Sequence, residues 1–192
     1  MTSELAFEKL KTMEFNTVLD VGSGDGTHAN AFRKLGKDVT TISLIEPADI
    51  IGDYTWTDHF RYRSFDCIWA SHVLEHQLDV NEFLEKCYSN LDDNGILAIT
   101  VPPYKPNIVG GHVTLWNAGL LLYNLILAGF DCSEAMVKTY GYNITVIVRK
   151  KFADIDSLDL HYDKGDIEKL AHLFPMEVEQ GFNGNIDEVN WK

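Results

Sequence analysis

A short segment at residues 18–26, with the sequence Val-Leu-Asp-Val-Gly-Ser-Gly-Asp-Gly, constrains the fold more than any other part of the chain. Its branched apolar residues predict a buried strand, and its alternating glycines predict a tight turn before a helix that begins near Thr27. In α/β proteins, ligands bind at such a turn, outside the carboxyl end of a parallel strand. The segment therefore predicts an α/β fold with a nucleotide-like ligand, although an ordinary strand-to-helix turn gives the same pattern.

The glycine loop differs from a dinucleotide-binding loop, and the difference indicates another ligand. Gly22, Gly24 and Gly26 are spaced G-x-G-x-G, whereas a dinucleotide loop is spaced G-x-G-x-x-G and would place its last glycine at Thr27. The carboxylate of Asp20, at the strand tip, would repel a pyrophosphate and attract a cation. A nucleoside that carries a positive group fits both features. S-adenosylmethionine is such a molecule, because it carries an ammonium and a sulfonium group.

Length, charge and cysteine content limit the classes of function. The 192 residues suffice for one α/β domain, and the formal net charge of −13 argues against nucleic acid in a basic groove and against an anionic membrane surface. Cys67, Cys87 and Cys132 are odd in number and lie in apolar or helical segments, so we expect reduced thiols in a cytoplasmic protein. The sequence leaves the oligomeric state open.

The order of the predicted elements is that of a doubly wound sheet. Helices are predicted near residues 4–11, 27–35, 79–91 and 115–128. Strands are predicted near residues 17–21, 38–45, 50–54, 65–70, 96–101, 136–140 and 144–148. The last two strands flank Gly141 and are expected to pair in antiparallel fashion. The chain changes character after Lys151, so we expect an α/β domain at residues 1–150 and an acidic C-terminal appendage at residues 151–192.

Three motifs, taken together, resemble those of the class I S-adenosylmethionine-dependent methyltransferases. They are the glycine loop at residues 18–26, FDCIWASHVLEH at residues 65–76 and LDDNGILAITVP at residues 91–102. The resemblance implies a Rossmann-like methyltransferase fold with a single, mostly parallel seven-stranded sheet whose last strand is antiparallel. It also implies an enzyme that uses S-adenosyl-L-methionine as its cofactor.

The resemblance assigns cofactor-binding roles to individual residues. The residues that match such positions in the family are Asp20, Gly22, Ser23, Gly24, Asp53, Ser71 and His72. The carboxylate of Asp20 would receive the amino group of the cofactor's methionine part, and Asp53 would receive the amino group of its adenine. Ser71 and His72 follow the fourth strand, where family members pass beside the cofactor.

Two departures from the family pattern lie on the adenine side of this site. Members usually end the second strand in an acid that binds both ribose hydroxyls, but this position holds Ser43, with Glu46 nearby as a replacement. Only nine residues separate Ser43 from Asp53, too few for the usual helix between the second and third strands. The sequence thus keeps open a methyltransferase-like binding module that has lost its cofactor.

The loop after the fifth strand holds the candidates for acceptor binding and catalysis. His112 follows two glycines there and is a candidate general base, because an imidazole accepts a proton near neutral pH. The alternative is that His112 caps the helix that follows. Tyr104 is assigned with His112 to the acceptor, and His72 is the second catalytic candidate.

A zinc site is the remaining alternative. His72, Glu75 and His76 form an H-x-x-E-H string, which also occurs in zinc hydrolases. The methyltransferase resemblance predicts the same string at this place, so the sequence analysis assigns no metal ligand. We predict methyl transfer to an oxygen or nitrogen of a small or saccharide-like acceptor, with no nucleic-acid or membrane partner.

Overall fold

The computed structural model of the protein describes residues 2–192. The strands are β1 (Thr17–Val21), β2 (Asp38–Ser43), β3 (Ile50–Ile51), β4 (Phe65–Ser71), β5 (Leu91–Val101), β6 (Met136–Tyr140), β7 (Asn143–Arg149) and β8 (Glu188–Val189). The α-helices are α1 (Glu4–Leu10), α2 (Thr27–Lys34), α3 (Val80–Ser89), α4 (Ala118–Leu127) and α5 (Asp166–Leu170). Short 3-10 helices lie at Leu74–His76, Asp156–Leu158 and Ala171–Leu173.

The strands form one sheet in the order β3-β2-β1-β4-β5-β7-β6-β8. Neighbouring strands from β3 to β5 are parallel, and those from β5 to β8 are antiparallel. The chain order changes direction between β1 and β4, which is where α/β sheets bind their ligands. The predicted α/β class and mostly parallel sheet are confirmed. The sheet has one strand more than the predicted seven, because Glu188–Val189 pairs with β6.

Helices cover both faces of the sheet because side chains alternate along its central strands. On β4, Ile68 points into the larger core with α3 and α4, while Trp69 points into a smaller core with α1 and α2. In the smaller core the Trp69 ring packs against the rings of Phe7 and Phe32, at centroid distances of 6.4 and 5.5 Å. These two cores fix β1 and β4 side by side, with their carboxyl ends at one edge.

Two connections differ from ordinary turns. No helix joins β2 to β3 within the described chain, as the spacing predicted, and residues 44–49 form an irregular connection instead. The strand predicted near residues 96–101 begins earlier, at Leu91, and residues 92–95 form a bulge within β5. The pairing with β4 passes from Leu91 directly to Ile96. Gly95 is required in this bulge, since a Cβ there would lie 2.9 Å from the carbonyl oxygen of Asp92.

The acidic tail packs on the same core as the rest of the chain. Leu170, Phe174 and Ile186 are buried among residues of the larger core. The tail crosses the start of α4 so closely that a Cβ on Gly119 would lie 2.6 Å from the Cα of Gly184. None of the helices in residues 2–192 has the length and apolar character needed to cross a membrane.

Candidate functional site

The glycine loop leaves β1 at the point where the strand order reverses. Gly22, Gly24 and Gly26 have φ angles of 70°, 53° and 76°, which are left-handed and favour glycine. The backbone amides of Gly22 and Ser23 both donate to the carbonyl oxygen of Ile42 on β2, at 2.8 and 3.2 Å. The loop is therefore held against β2, and α2 begins directly after it.

Gly22 and Gly24 face different surroundings. A Cβ on Gly22 would lie 2.3 Å from Cγ2 of Val73, so at this position the loop packs against the segment after β4. A Cβ on Gly24 would meet no atom of the described chain closer than the Gly22 carbonyl oxygen, at 4.0 Å, apart from its own chain neighbours. The backbone at Gly24 therefore borders open space that a side chain would fill, and a ligand can approach the main chain there.

Asp20 is a buried acid with unused hydrogen-bonding capacity. Its exposure is 1 %, and its Oδ2 has no hydrogen-bond partner within residues 2–192. Burial raises the pKa of Asp20 to about 7, although the backbone amide of Ala29 and the charge of Arg33 oppose this shift. The hydroxyl of Ser23 is likewise buried without a partner in this part of the chain. These groups fit a ligand that brings hydrogen-bond donors and positive charge.

The residues predicted on the adenine side lie at the carboxyl ends of β2 and β3, the same edge as the glycine loop. Ser43 is buried, with its hydroxyl 3.5 Å from the backbone nitrogen of Ile45. Glu46 is exposed in the β2–β3 connection. Asp53 is also exposed, and its Oδ1 accepts a hydrogen bond from the amide of Thr55 at 2.9 Å. The side chains at this end of the site are therefore more open to solvent than Asp20.

The two residues predicted after β4 are engaged with other parts of the protein. The Ser71 hydroxyl lies 2.6 Å from the Ser3 hydroxyl. The ring of His72 contacts Glu75 Oε1 through Nδ1 at 3.1 Å and Asn143 Oδ1 through Nε2 at 2.9 Å. The hydrogen bond with Glu75 is the main cause that raises the pKa of His72. In this arrangement neither ring nitrogen of His72 is free to take a proton from an acceptor.

The loop after β5 encloses a cavity of about 230 Å³ with an aromatic lining. The cavity brings Tyr104 and His112 together with Trp116 and Tyr142. Trp116 is buried, and its indole N–H donates to the Thr114 hydroxyl at 3.0 Å. Tyr104 is 58 % exposed and marks the solvent side. The two residues predicted to bind the acceptor thus line one cavity.

A cluster that the sequence did not predict lies beside this cavity. Glu75, His76 and His112 each place a nitrogen or oxygen atom within 4.8 Å of the other two. The H-x-x-E-H string had grouped His72 with Glu75 and His76 instead. The last three residues of the string, Leu74–His76, form a 3-10 helix. The loop that carries His112 lies against it because the amide of Val113 donates to the Glu75 carbonyl oxygen at 2.8 Å. Only tertiary folding joins residues 36 positions apart, so no sequence spacing signals this cluster.

Comparison with known proteins identifies the family. A family model described as a methyltransferase domain matches residues 2–124. The chain belongs to the class I S-adenosylmethionine-dependent methyltransferases. This methyltransferase has the three motifs of the family in order, with its glycine loop at the expected edge of the sheet.

The chain is similar to one curated protein methyltransferase. It is 30 % identical over 107 residues to alpha N-terminal protein methyltransferase 1 of Dictyostelium discoideum, and the match covers 45 % of this chain and 39 % of that protein. The chain thus matches well under half the length of this relative.

Solved structures share the fold of this methyltransferase. A Burkholderia thailandensis 1,6-didemethyltoxoflavin-N1-methyltransferase, with bound 1,6-didemethyltoxoflavin and S-adenosylhomocysteine, has a TM-score of 0.65 at 17 % identity. That similarity covers 78 % of this chain and 77 % of the other. An S-adenosylmethionine-dependent methyltransferase of Archaeoglobus fulgidus has a TM-score of 0.58 at 18 % identity, and covers 77 % of this chain and 94 % of the other.

Proposed function

We propose that this methyltransferase transfers the methyl group of S-adenosylmethionine to an oxygen or nitrogen of a small or saccharide-like acceptor. The observation that carries the choice of acceptor is the aromatic cavity of about 230 Å³ in the loop after β5. It lies at the carboxyl edge of the sheet, as does the glycine loop. Cofactor and acceptor would therefore meet at one edge. The buried free thiols of Cys67, Cys87 and Cys132 support a cytoplasmic setting.

The residues of the glycine loop fit the proposed cofactor. The unpartnered Oδ2 of Asp20 would accept from the cofactor's ammonium group, and the bare backbone at Gly24 leaves room for its methionine part. Ser43 would supply a single hydroxyl to the ribose where the family usually has a carboxylate. When bound, the cofactor supplies an electrophilic methyl group on a positively charged sulfur.

The dimensions of the acceptor cavity favour a compact ring. Ligand cavities for drug-sized molecules usually measure about 300–1,000 Å³, so the cavity here suits a single ring or one sugar unit. The rings of Tyr104, Trp116 and Tyr142 offer flat apolar faces, against which planar heterocycles and the C–H faces of sugars pack. The formal net charge of −13 favours such an acceptor over a nucleic acid.

Methyl transfer needs alignment more than acid–base chemistry. The acceptor oxygen or nitrogen forms a bond to the methyl carbon, S-adenosylhomocysteine remains, and any acceptor proton passes to a base or to water. Proximity and orientation within the cavity supply most of the rate of such a step. His112 lines the cavity, so it is placed to contact the reacting group of the acceptor.

Transfer of a labelled methyl group tests this proposal. Purified protein is incubated with methyl-labelled S-adenosylmethionine and separate pools of monosaccharides and nucleotide sugars, small heterocycles, and peptides with free N-termini. We expect transfer to a member of the first or second pool. Transfer only to peptides would instead support the acceptor named for the Dictyostelium relative. Cofactor binding without transfer to any pool would favour the non-catalytic binding module.

The replacement Asp20→Asn is expected to change stability and cofactor affinity in opposite directions. The pKa of Asp20 is raised from 3.8 to about 7, so the native state holds this proton more tightly than the unfolded state. The contribution of Asp20 to stability therefore falls as the pH rises from about 4 to 7 and stays low above that. In urea unfolding without ligand, Asp20→Asn should be more stable at pH 8 by roughly 2–4 kcal/mol.

The same replacement removes the charge that faces the cofactor. Loss of a charge-assisted pair should weaken the binding of S-adenosylmethionine about thirtyfold, which corresponds to roughly 2 kcal/mol of binding free energy. Titrations and urea unfolding at pH 5 and pH 8 measure both effects. An unchanged affinity would remove Asp20 from the cofactor site, and an unchanged pH dependence of stability would contradict the raised pKa.

A further inference from the structure

We propose that Glu75, His76 and His112 bind a divalent transition-metal ion beside the acceptor cavity. Their ligand atoms lie within 4.8 Å of one another, a spacing that one ion can bridge after small side-chain movements. Two imidazoles and one carboxylate are a known ligand set for Zn²⁺ sites that keep an open position, and imidazole also suits other first-row transition metals.

The ring of His76 is already oriented as a ligand. Its Nδ1 lies 2.7 Å from the carbonyl oxygen of Gly111, and a carbonyl only accepts, so Nδ1 carries the proton. The lone pair therefore lies on Nε2, which is 3.8 Å from Oε1 of Glu75. Metal-bound histidines are typically held in this way, by donation from the second ring nitrogen to a backbone carbonyl.

Glu75 supplies an independent observation that points to a cation. Its side chain is 1 % exposed, and its Oε2 has no hydrogen-bond partner within residues 2–192. An unpartnered carboxylate oxygen at this depth is costly to bury unless a donor or a cation reaches it. Its Oε1 is paired with His72, which would hold the carboxylate in position, as residues around metal ligands commonly do.

His112 links the ion to the acceptor. It contributes to the cluster and also lines the aromatic cavity, so the ion's remaining coordination position would lie close to that cavity. An oxygen of the acceptor could complete the coordination; this part of the inference rests on the proposed function. The His76 side chain is 44 % exposed, which gives the ion a path from solvent.

Metal titration of the full chain tests the proposal without any assay of methyl transfer. Chelator-treated protein is titrated with Zn²⁺ by calorimetry, and with Co²⁺ by visible absorption, whose intensity reports the coordination number. We expect one ion per chain. The variants His112→Ala, His76→Ala and Glu75→Gln should weaken binding by more than about tenfold. The matched control is His59→Ala, which removes an exposed histidine in the β3–β4 connection outside the cluster.

The outcomes separate this proposal from the proposed function. Binding that is lost in the cluster variants and kept in His59→Ala supports the site. No binding to the wild type, or equal binding by all four variants, overturns it. Because S-adenosylhomocysteine binding is measured on the same samples, a failed metal site leaves the cofactor result intact. Glu75→Gln keeps the shape of a buried side chain, and circular dichroism confirms that each variant is folded.

Discussion

Replacement of Gly24 by valine is expected to abolish binding of S-adenosylmethionine while the protein remains folded. A Cβ on Gly24 meets no described atom closer than the Gly22 carbonyl oxygen at 4.0 Å, so the branched side chain enters the open space where the cofactor would lie. Its positive φ of 53° adds backbone strain of about 1–3 kcal/mol, which a folded domain can tolerate. Calorimetry measures the binding, and circular dichroism with urea unfolding measures the fold.

A second glycine provides the control for backbone strain. Gly36 also has a positive φ, of 80°, and no atom lies within 4 Å of its Cβ position, but it follows α2 at the opposite end of β1 and β2 from the loop. Gly36→Val should therefore lose similar stability and keep cofactor binding. If Gly24→Val binds as tightly as Gly36→Val, the glycine loop does not form the cofactor site.

The replacement His112→Ala is expected to reduce methyl transfer by about a hundredfold or more, with cofactor affinity unchanged. His112 lines the acceptor cavity and belongs to the cluster with Glu75 and His76, so its loss affects the acceptor and not the glycine loop. Steady-state rates with the acceptor found in the labelling experiment measure the effect. The control is His172→Ala, because His172 lies in the tail, where its Nδ1 is 3.1 Å from the carbonyl oxygen of Lys169.

The metal experiment decides how His112 acts. A histidine that binds an ion through its ring nitrogen cannot use the same lone pair to take a proton. If the wild type binds no metal, a large loss of rate in His112→Ala would support the general base. If His112→Ala loses both its methyl-transfer rate and the metal binding seen in the wild type, the ligand role would be supported. A near-normal rate in His112→Ala would show that His112 takes no part in methyl transfer.

The parts of the fold that were predictable from sequence have strong local signals. The buried runs of β1 and β4 and the glycines of the loop fix the element types, because hydrophobic period and glycine spacing act within a few residues. The absence of a helix between β2 and β3 was likewise evident from the nine residues that separate Ser43 from Asp53. The pairing of β8 with β6 was not predictable, since a two-residue strand has no hydrophobic period and depends on where the tail is carried by α5 and the core.

In the candidate site, too, the residues with local sequence signals were predictable and those placed by distant contacts were not. Asp20 and Gly24 lie on the element that defines the fold, so their position follows once the strand and loop are recognised. The orientation of His72 toward Asn143 depends on the β6–β7 hairpin, and the meeting of His76 with His112 depends on how a long loop folds back. Such contacts between distant segments are set by packing and hydrogen bonds that leave no fixed spacing in the sequence.

Calorimetric titration of the wild-type protein with S-adenosylhomocysteine tests the central claim most directly. The claim is that Asp20 and the open loop at Gly24 form a working cofactor site, even though Ser43 replaces the usual acid and the described chain has no helix between β2 and β3. We predict saturable binding of one molecule per chain, with a thermal unfolding temperature that rises with the logarithm of the ligand excess. No heat of binding and no shift in unfolding temperature would contradict the account.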